Sequence, residues 1–171
     1  MKADTILFGE RNHCKMKRIA SFSVNHDLLD RGMYISRVDG DVVTYDIRMK
    51  KPNGGDYLKN GAIHTFEHLF ATYARNTASS DQIVYIGPMG CRTGFYLLTR
   101  DTLSHSQALR LVQDSLRFIV DFTGEIPGTR REECGNYREH DLNGAKEAAR
   151  EMLPVLERWD ESRMTYAAQN D

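Results

Sequence analysis

Residues 33–49, MYISRVDGDVVTYDIRM, decide the fold class. Two runs, 33–38 and 41–49, are rich in β-branched and aromatic side chains, and Asp39-Gly40 lies between them. Such side chains suit a pleated, half-buried surface, and the Asp-Gly pair supplies the positive φ of a tight hairpin turn. The stretch therefore predicts two antiparallel strands. Downstream, QIVYIGP (82–88) and TGFYLLTR (93–100) read as two more strands around a Met-Gly-Cys connection. Elsewhere the apolar period is three and four. Ile63, Phe66, Leu69, Phe70 and Tyr73 form one stripe, and Leu109, Val112, Leu116 and Ile119 form another over 104–122. A last helix over 143–159 turns Ala145, Ala148, Ala149, Met152 and Leu156 inward, with Pro154 bending it or loosening its end. KPNGGDYLKNG (51–61) is rich in turn formers and predicts a loop. Interspersed strands and helices with a hairpin point to an α+β fold, an antiparallel β-sheet packed against helices in a single domain.

The 171 residues suffice for one domain with a real core. The net charge of −1, from 23 basic and 24 acidic side chains, argues against a large nucleic-acid-binding surface. No apolar run is long enough to cross a membrane, and a cytoplasmic location is expected. Cys14, Cys91 and Cys134 are odd in number and widely spaced, which is no disulfide framework. A free thiolate is then available as nucleophile, acid/base or ligand.

The chemistry concentrates in GAIHTFEHLFATYARN, residues 61–76. On a helix His64 and His68 lie one turn apart on the same side and can face one ion. Glu67 sits beside them, able to reach a bound water without ligating. The order H-x-x-E-H is also that of inverzincin metallopeptidases. A solvated helix face is the bland alternative, and spacing alone does not choose between them. Cys134 in EECGNY is a candidate third ligand, with Glu132, Glu133 and His140 in competition. Cys91 lies in GPMGCRTG, an irregular glycine-rich connection where backbone can approach a ligand. Cys14, beside His13, is a weak candidate near the terminus.

Three motifs, HTFEHLFATYARN, GPMGCRTGFYLL and IPGTRREECGNYREHDLNGAK, stand in the order and at the distances found in S-ribosylhomocysteine lyases. From SFSVNHDLL at Ser21 to the last helix the chain closely resembles this LuxS family. Residues 1–15 lie outside the resemblance, as an N-terminal extension to a domain spanning 16–171. The resemblance implies a homodimer with pockets at the subunit interface. It implies cleavage of the thioether of S-ribosylhomocysteine to homocysteine and 4,5-dihydroxy-2,3-pentanedione, the autoinducer-2 precursor. It assigns His64, His68 and Cys134 to a ferrous ion (Fe2+), replaceable by Zn2+ or Co2+, and makes Glu67 and Cys91 the acid/base pair. Ser21, His26, Arg48 and Arg75 match substrate-pocket positions. Many members read roughly DISPMGC where this chain reads VYIGPMGC, so Tyr85 and Gly87 replace an acidic residue and a serine. Tyr85 is accordingly expected at the substrate side. Cations near Cys91, Arg92 and the metal among them, are expected to favour its thiolate. The rival readings are an inverzincin-type peptidase and a non-catalytic, metal-stabilised dimerisation module. Neither gives both Cys91 and Cys134 a task.

Overall fold

The computed structural model describes residues 24–166, so Cys14, Ser21 and the expected extension at 1–15 lie outside the described residues. Four strands follow the predicted segments: β1 (Gly32–Asp39), β2 (Val42–Arg48), β3 (Ile83–Pro88) and β4 (Gly94–Arg100). They form one sheet in the order β1-β2-β4-β3, with every neighbouring pair antiparallel. Three helices complete the domain: α1 (Asn60–Arg75), α2 (His105–Asp121) and α3 (Leu142–Leu156). The expected α+β class and its antiparallel sheet are present.

The turn of the first hairpin is displaced by one residue from expectation. Asp39 still pairs with Val42, so Gly40 and Asp41 are the central residues. Gly40 takes φ 60° and Asp41 does not take a positive φ. Glycine first, without a second positive φ, is the pattern of a II′ turn, whose twist matches the strands. The sequence pattern located the hairpin and its positive-φ glycine but set the two-residue turn one position early.

Side chains alternate across the sheet as a half-covered antiparallel sheet demands. Val43, Tyr45 and Ile47 of β2 enter the core, together with Phe95 and Leu97 of β4. The three helices supply the rest, and each expected stripe is buried apart from Tyr73, which packs at its margin. Phe66 of α1 stacks on Phe95 with ring centroids 4.7 Å apart, which fastens that helix directly to the sheet. Pro154 sits in the last turn of α3, which ends at Leu156 instead of reaching residue 159. Proline has no N–H to continue the ladder, so the early end is the expected consequence. The start of α3 is equally well fixed: the Asp141 carboxylate accepts the Gly144 N–H at 2.8 Å as an N-cap.

The opposite face of β2 carries Asp46 and Arg48, yet both are buried, 2% and 3% exposed. Arg48 Nη2 donates to Asp46 Oδ2 at 2.6 Å, and the Tyr166 hydroxyl donates to the same oxygen at 3.0 Å. Tyr166 also stacks on Tyr34 of β1 with centroids 5.1 Å apart, so the chain after α3 returns to cover this face. Burying an ion pair in this way is costly and adds little to stability by itself. Its effect is to hold the Arg48 guanidinium in one place. Among the described residues, no helix is long and apolar enough to cross a membrane.

Candidate metal centre and acid/base groups

Helix α1 presents His64 and His68 one turn apart, their rings edge to face with centroids 4.7 Å apart. Facing them is the long connection between α2 and α3, which carries Cys134 and His140. One donor atom from each of His64, His68, Cys134 and His140 can be chosen so that all lie within 4.8 Å of one another. Of the competitors for a place beside the two α1 histidines, Cys134 and His140 are therefore near, while Glu132 and Glu133 are not in the group.

Hydrogen bonds at the far side of each ring decide what the near side can do. His64 Nδ1 donates to the Glu139 carbonyl at 2.8 Å, and His68 Nδ1 donates to the Pro127 carbonyl at 2.8 Å. A backbone carbonyl can only accept, so each Nδ1 carries a proton and each Nε2 presents a lone pair. This is the usual outer support of a ligating histidine. Cys134 Sγ lies 3.3 Å from His64 Nε2. A tetrahedral ion with ordinary bond lengths to nitrogen and sulfur holds those two atoms about 3.5 Å apart. The donor set and its spacing thus fit a borderline-soft divalent ion. The pKa of His140 is lowered, first by burial and then by the neighbouring His64 and His68, which favours the neutral ring.

Glu67, on the same helix, is half-buried. It lines a cleft of about 340 Å³ with His68, Ala71, Thr72, Ile86, Pro127 and Gly128. Its carboxylate therefore opens onto a space that also reaches a metal-facing histidine.

Cys91 lies in the β3–β4 connection and is exposed. Burial of the thiol raises its pKa, but the Thr93 side chain and backbone bonds and the Arg48 charge outweigh this, so the net shift is downward. The contacts are Cys91 Sγ to Thr93 Oγ1 at 3.0 Å and Arg48 Nη1 to Sγ at 3.9 Å. Arg48 Nη1 also donates to Thr93 Oγ1, so one cation and one hydroxyl brace the sulfur together. Arg92, the expected cation, is not the one at the sulfur. It adopts φ 60° and places its guanidinium over the Tyr57 ring, 5.9 Å from the centroid. The strand register brings Arg48 there instead, because it pairs with Gly94 at the end of the same connection.

The other sequence candidates are dispersed. Tyr85 is half-exposed on β3, not a core aromatic, and its phenol lies over Gly87, where a Cβ would overlap it. The small residue in place of the usual serine thus makes room for the ring. Arg75, in the last turn of α1, donates to the Ile83 and Val84 carbonyls of β3, each at 3.3 Å. His26 bonds the Val24 carbonyl within its own segment at 2.9 Å and is not in the donor group. Ser21 lies outside the described residues. Among the described residues no hydrogen bond joins Cys91 to Glu67 or to the donor group.

The S-ribosylhomocysteinase (LuxS) family model matches residues 19–163. This chain belongs to that family. It is 49% identical over 157 residues to the S-ribosylhomocysteine lyase of Phocaeicola vulgatus, covering 88% of this chain and 98% of that protein. The lyases of Porphyromonas gingivalis and Clostridium acetobutylicum are 46% and 42% identical, each covering 88% of this chain and 99% of the relative. The matched region contains α1, the Cys91 connection and the Cys134 loop.

Two outcomes follow. Cys134→Ala removes the sulfur donor and is expected to lose the bound metal, measured as metal per chain after anaerobic purification; a full complement in that variant would show the ligand set to be wrong. Thr93→Val removes the strongest hydrogen bond favouring the Cys91 thiolate. Its alkylation-rate profile against pH should move to higher pH than wild type, with slower alkylation at neutral pH. Superimposable profiles would remove Thr93 from the control of the thiol.

Proposed function

We propose that this chain is an S-ribosylhomocysteine lyase, cleaving the substrate's thioether to homocysteine and 4,5-dihydroxy-2,3-pentanedione. The observation that carries this reading is the family match over a segment in which His64, His68 and Cys134 converge. A thioether sulfur leaves readily only when a carbonyl stands so that the proton on the carbon next to the leaving carbon is acidic. The sugar carbonyl must therefore migrate, by enolisations, before β-elimination. Each enolisation needs a Lewis acid at oxygen and a base at carbon.

His64 Nε2, His68 Nε2 and Cys134 Sγ would hold the divalent ion, Fe2+ in the working enzyme with Zn2+ or Co2+ able to replace it. That ion would supply the Lewis acid. The Glu67 carboxylate and the Cys91 sulfur are the proton carriers of this reading. A lowered thiol pKa suits Cys91 to taking a proton at neutral pH and returning it. Arg48 serves this step by stabilising the thiolate across 3.9 Å. Tyr85 on β3 and Arg75, bonded to the start of that strand, would contact the substrate.

The active unit in this reading is a homodimer, with Ser21 and His26 of one subunit at the pocket of the other. In support, the family match over residues 19–163 includes both Ser21 and His26. A cytoplasmic location accords with free, oxidisable thiols at Cys91 and Cys134. Residues 1–15 are in this reading an N-terminal extension to the enzyme domain at 16–171.

The test is anaerobic incubation with S-ribosylhomocysteine and a chromogenic disulfide that traps free thiol. Wild type should release homocysteine. Glu67→Gln should keep its metal and lose turnover by a factor on the order of 10²–10⁴, the range for a lost proton carrier. Absence of thiol release from metal-loaded wild type would refute the assignment.

A further inference from the structure

Four side chains meet at the centre, but their hydrogen bonds divide them into two kinds. His64 and His68 give their Nδ1 protons to carbonyls and turn lone pairs inward. His140 is supported differently. Its Nδ1 lies 3.2 Å from the hydroxyl of Thr65, a fully buried residue of α1. That hydroxyl already accepts the Asp141 N–H at 2.9 Å. Its own proton has one described partner, His140 Nδ1. The hydroxyl oxygen has a second acceptor site, but using it for an Nδ1–H would leave its own buried proton without a partner among the described residues. Nδ1 is therefore assigned as the acceptor, which puts the ring's one proton on Nε2. An N–H has no lone pair for a metal. It is a donor.

Ring geometry agrees. His140 lies nearly parallel to His64, 23° between planes and 4.0 Å between centroids. Parallel rings aim their in-plane nitrogens side by side. The edge-on pair His64 and His68, 85° between planes, can converge on one point. His140 Nε2 is also buried and has no hydrogen-bond partner among the described residues. A buried N–H without a partner is expensive, so its presence here implies an acceptor that the site takes up.

Resting on the metal centre proposed above, we infer that His140 is not a fourth ligand but a hydrogen-bond donor, through Nε2–H, to the oxygen bound at that centre. That oxygen would be supplied by water or by the substrate. Thr65 is the positioning residue that fixes the tautomer. The backbone of the next residue, Asp141, holds Thr65 in that role, and Asp141 in turn caps α3.

The direct test is long-range 1H–15N NMR of the histidine rings in metal-free and zinc-loaded protein. His140 should show the Nε2–H tautomer in both, while His64 and His68 show Nδ1–H and, with zinc, a metal-bound Nε2. A zinc-bound Nε2 or an Nδ1–H tautomer at His140 would overturn the inference. If wild type binds no zinc, the metal centre itself fails, and the tautomer read in the metal-free protein is a separate result. The second arm compares His140→Leu with His140→Gln, whose amide retains an N–H. Both should keep one zinc per chain. The leucine variant should lose turnover on the order of 10²-fold, the usual effect of deleting one such donor, and glutamine should recover most of it. Loss of zinc from His140→Leu, or equal rates in the two variants, would overturn the donor role.

Discussion

Two imidazole N–H groups on one face of α1 organise the long loop that follows α2. His64 and His68 each donate to a loop carbonyl, at Glu139 and Pro127. The Asp141 N–H completes the attachment by bonding both the Gly61 carbonyl at 3.1 Å and the Thr65 hydroxyl at 2.9 Å. A loop of some twenty residues without regular structure needs such tethers, because ordering each of its residues costs on the order of 1–2 kcal/mol. The same bonds that tether the loop bring Cys134 and His140 up to the helix. They also assign each ring its proton. Fold and chemistry thus share one set of hydrogen bonds, and a change that loosens the loop also disturbs the donor set.

A comparable economy governs the second group. The buried Asp46–Arg48 pair is a poor way to stabilise a sheet. It fixes a cation at the end of β2, where the register with β4 sets it beside the Cys91 connection. Asp46 Oδ1 and Arg48 Nε have no hydrogen-bond partners among the described residues. That unsatisfied polarity is better explained by a requirement for positive charge at the thiol than by stability. The hydroxyl of Thr93, itself buried, relays the arrangement to the sulfur.

Much of this was legible in the sequence, for physical reasons. Helices and strands that bury one face must repeat apolar residues at 3.6 or 2, so all three helices and all four strands could be read. The i, i+4 spacing of His64 and His68 fixed their common direction before any coordinates. What escaped was whatever depends on register or on the far side of a ring. Sequence could not show that β2 places Arg48 near Cys91 while Arg92 turns toward Tyr57. It could not distinguish His140 from Cys134 as a partner of the two histidines, because the distinction lies in the partner of Nδ1. The signal for that partner was present in Thr65, one position from His64, but a buried threonine on a helix reads as packing. The turn was set one position early because Asp-Gly and Gly-Asp both suit two-residue hairpins, so Gly40 could stand second or first in the pair.

The central claim is that this helix and loop form one metal centre with three protein ligands and a separate N–H donor. Anomalous diffraction from crystals grown and frozen without oxygen tests it most directly. One anomalous peak per chain is expected, bonded to His64 Nε2, His68 Nε2 and Cys134 Sγ, at roughly 2.0–2.1 Å from nitrogen and 2.3 Å from sulfur for zinc. His140 Nε2 should stand outside bonding distance, within hydrogen-bond reach of a metal-bound oxygen. A peak bonded to His140 in place of Cys134, or no peak in protein that turns over substrate, would contradict it.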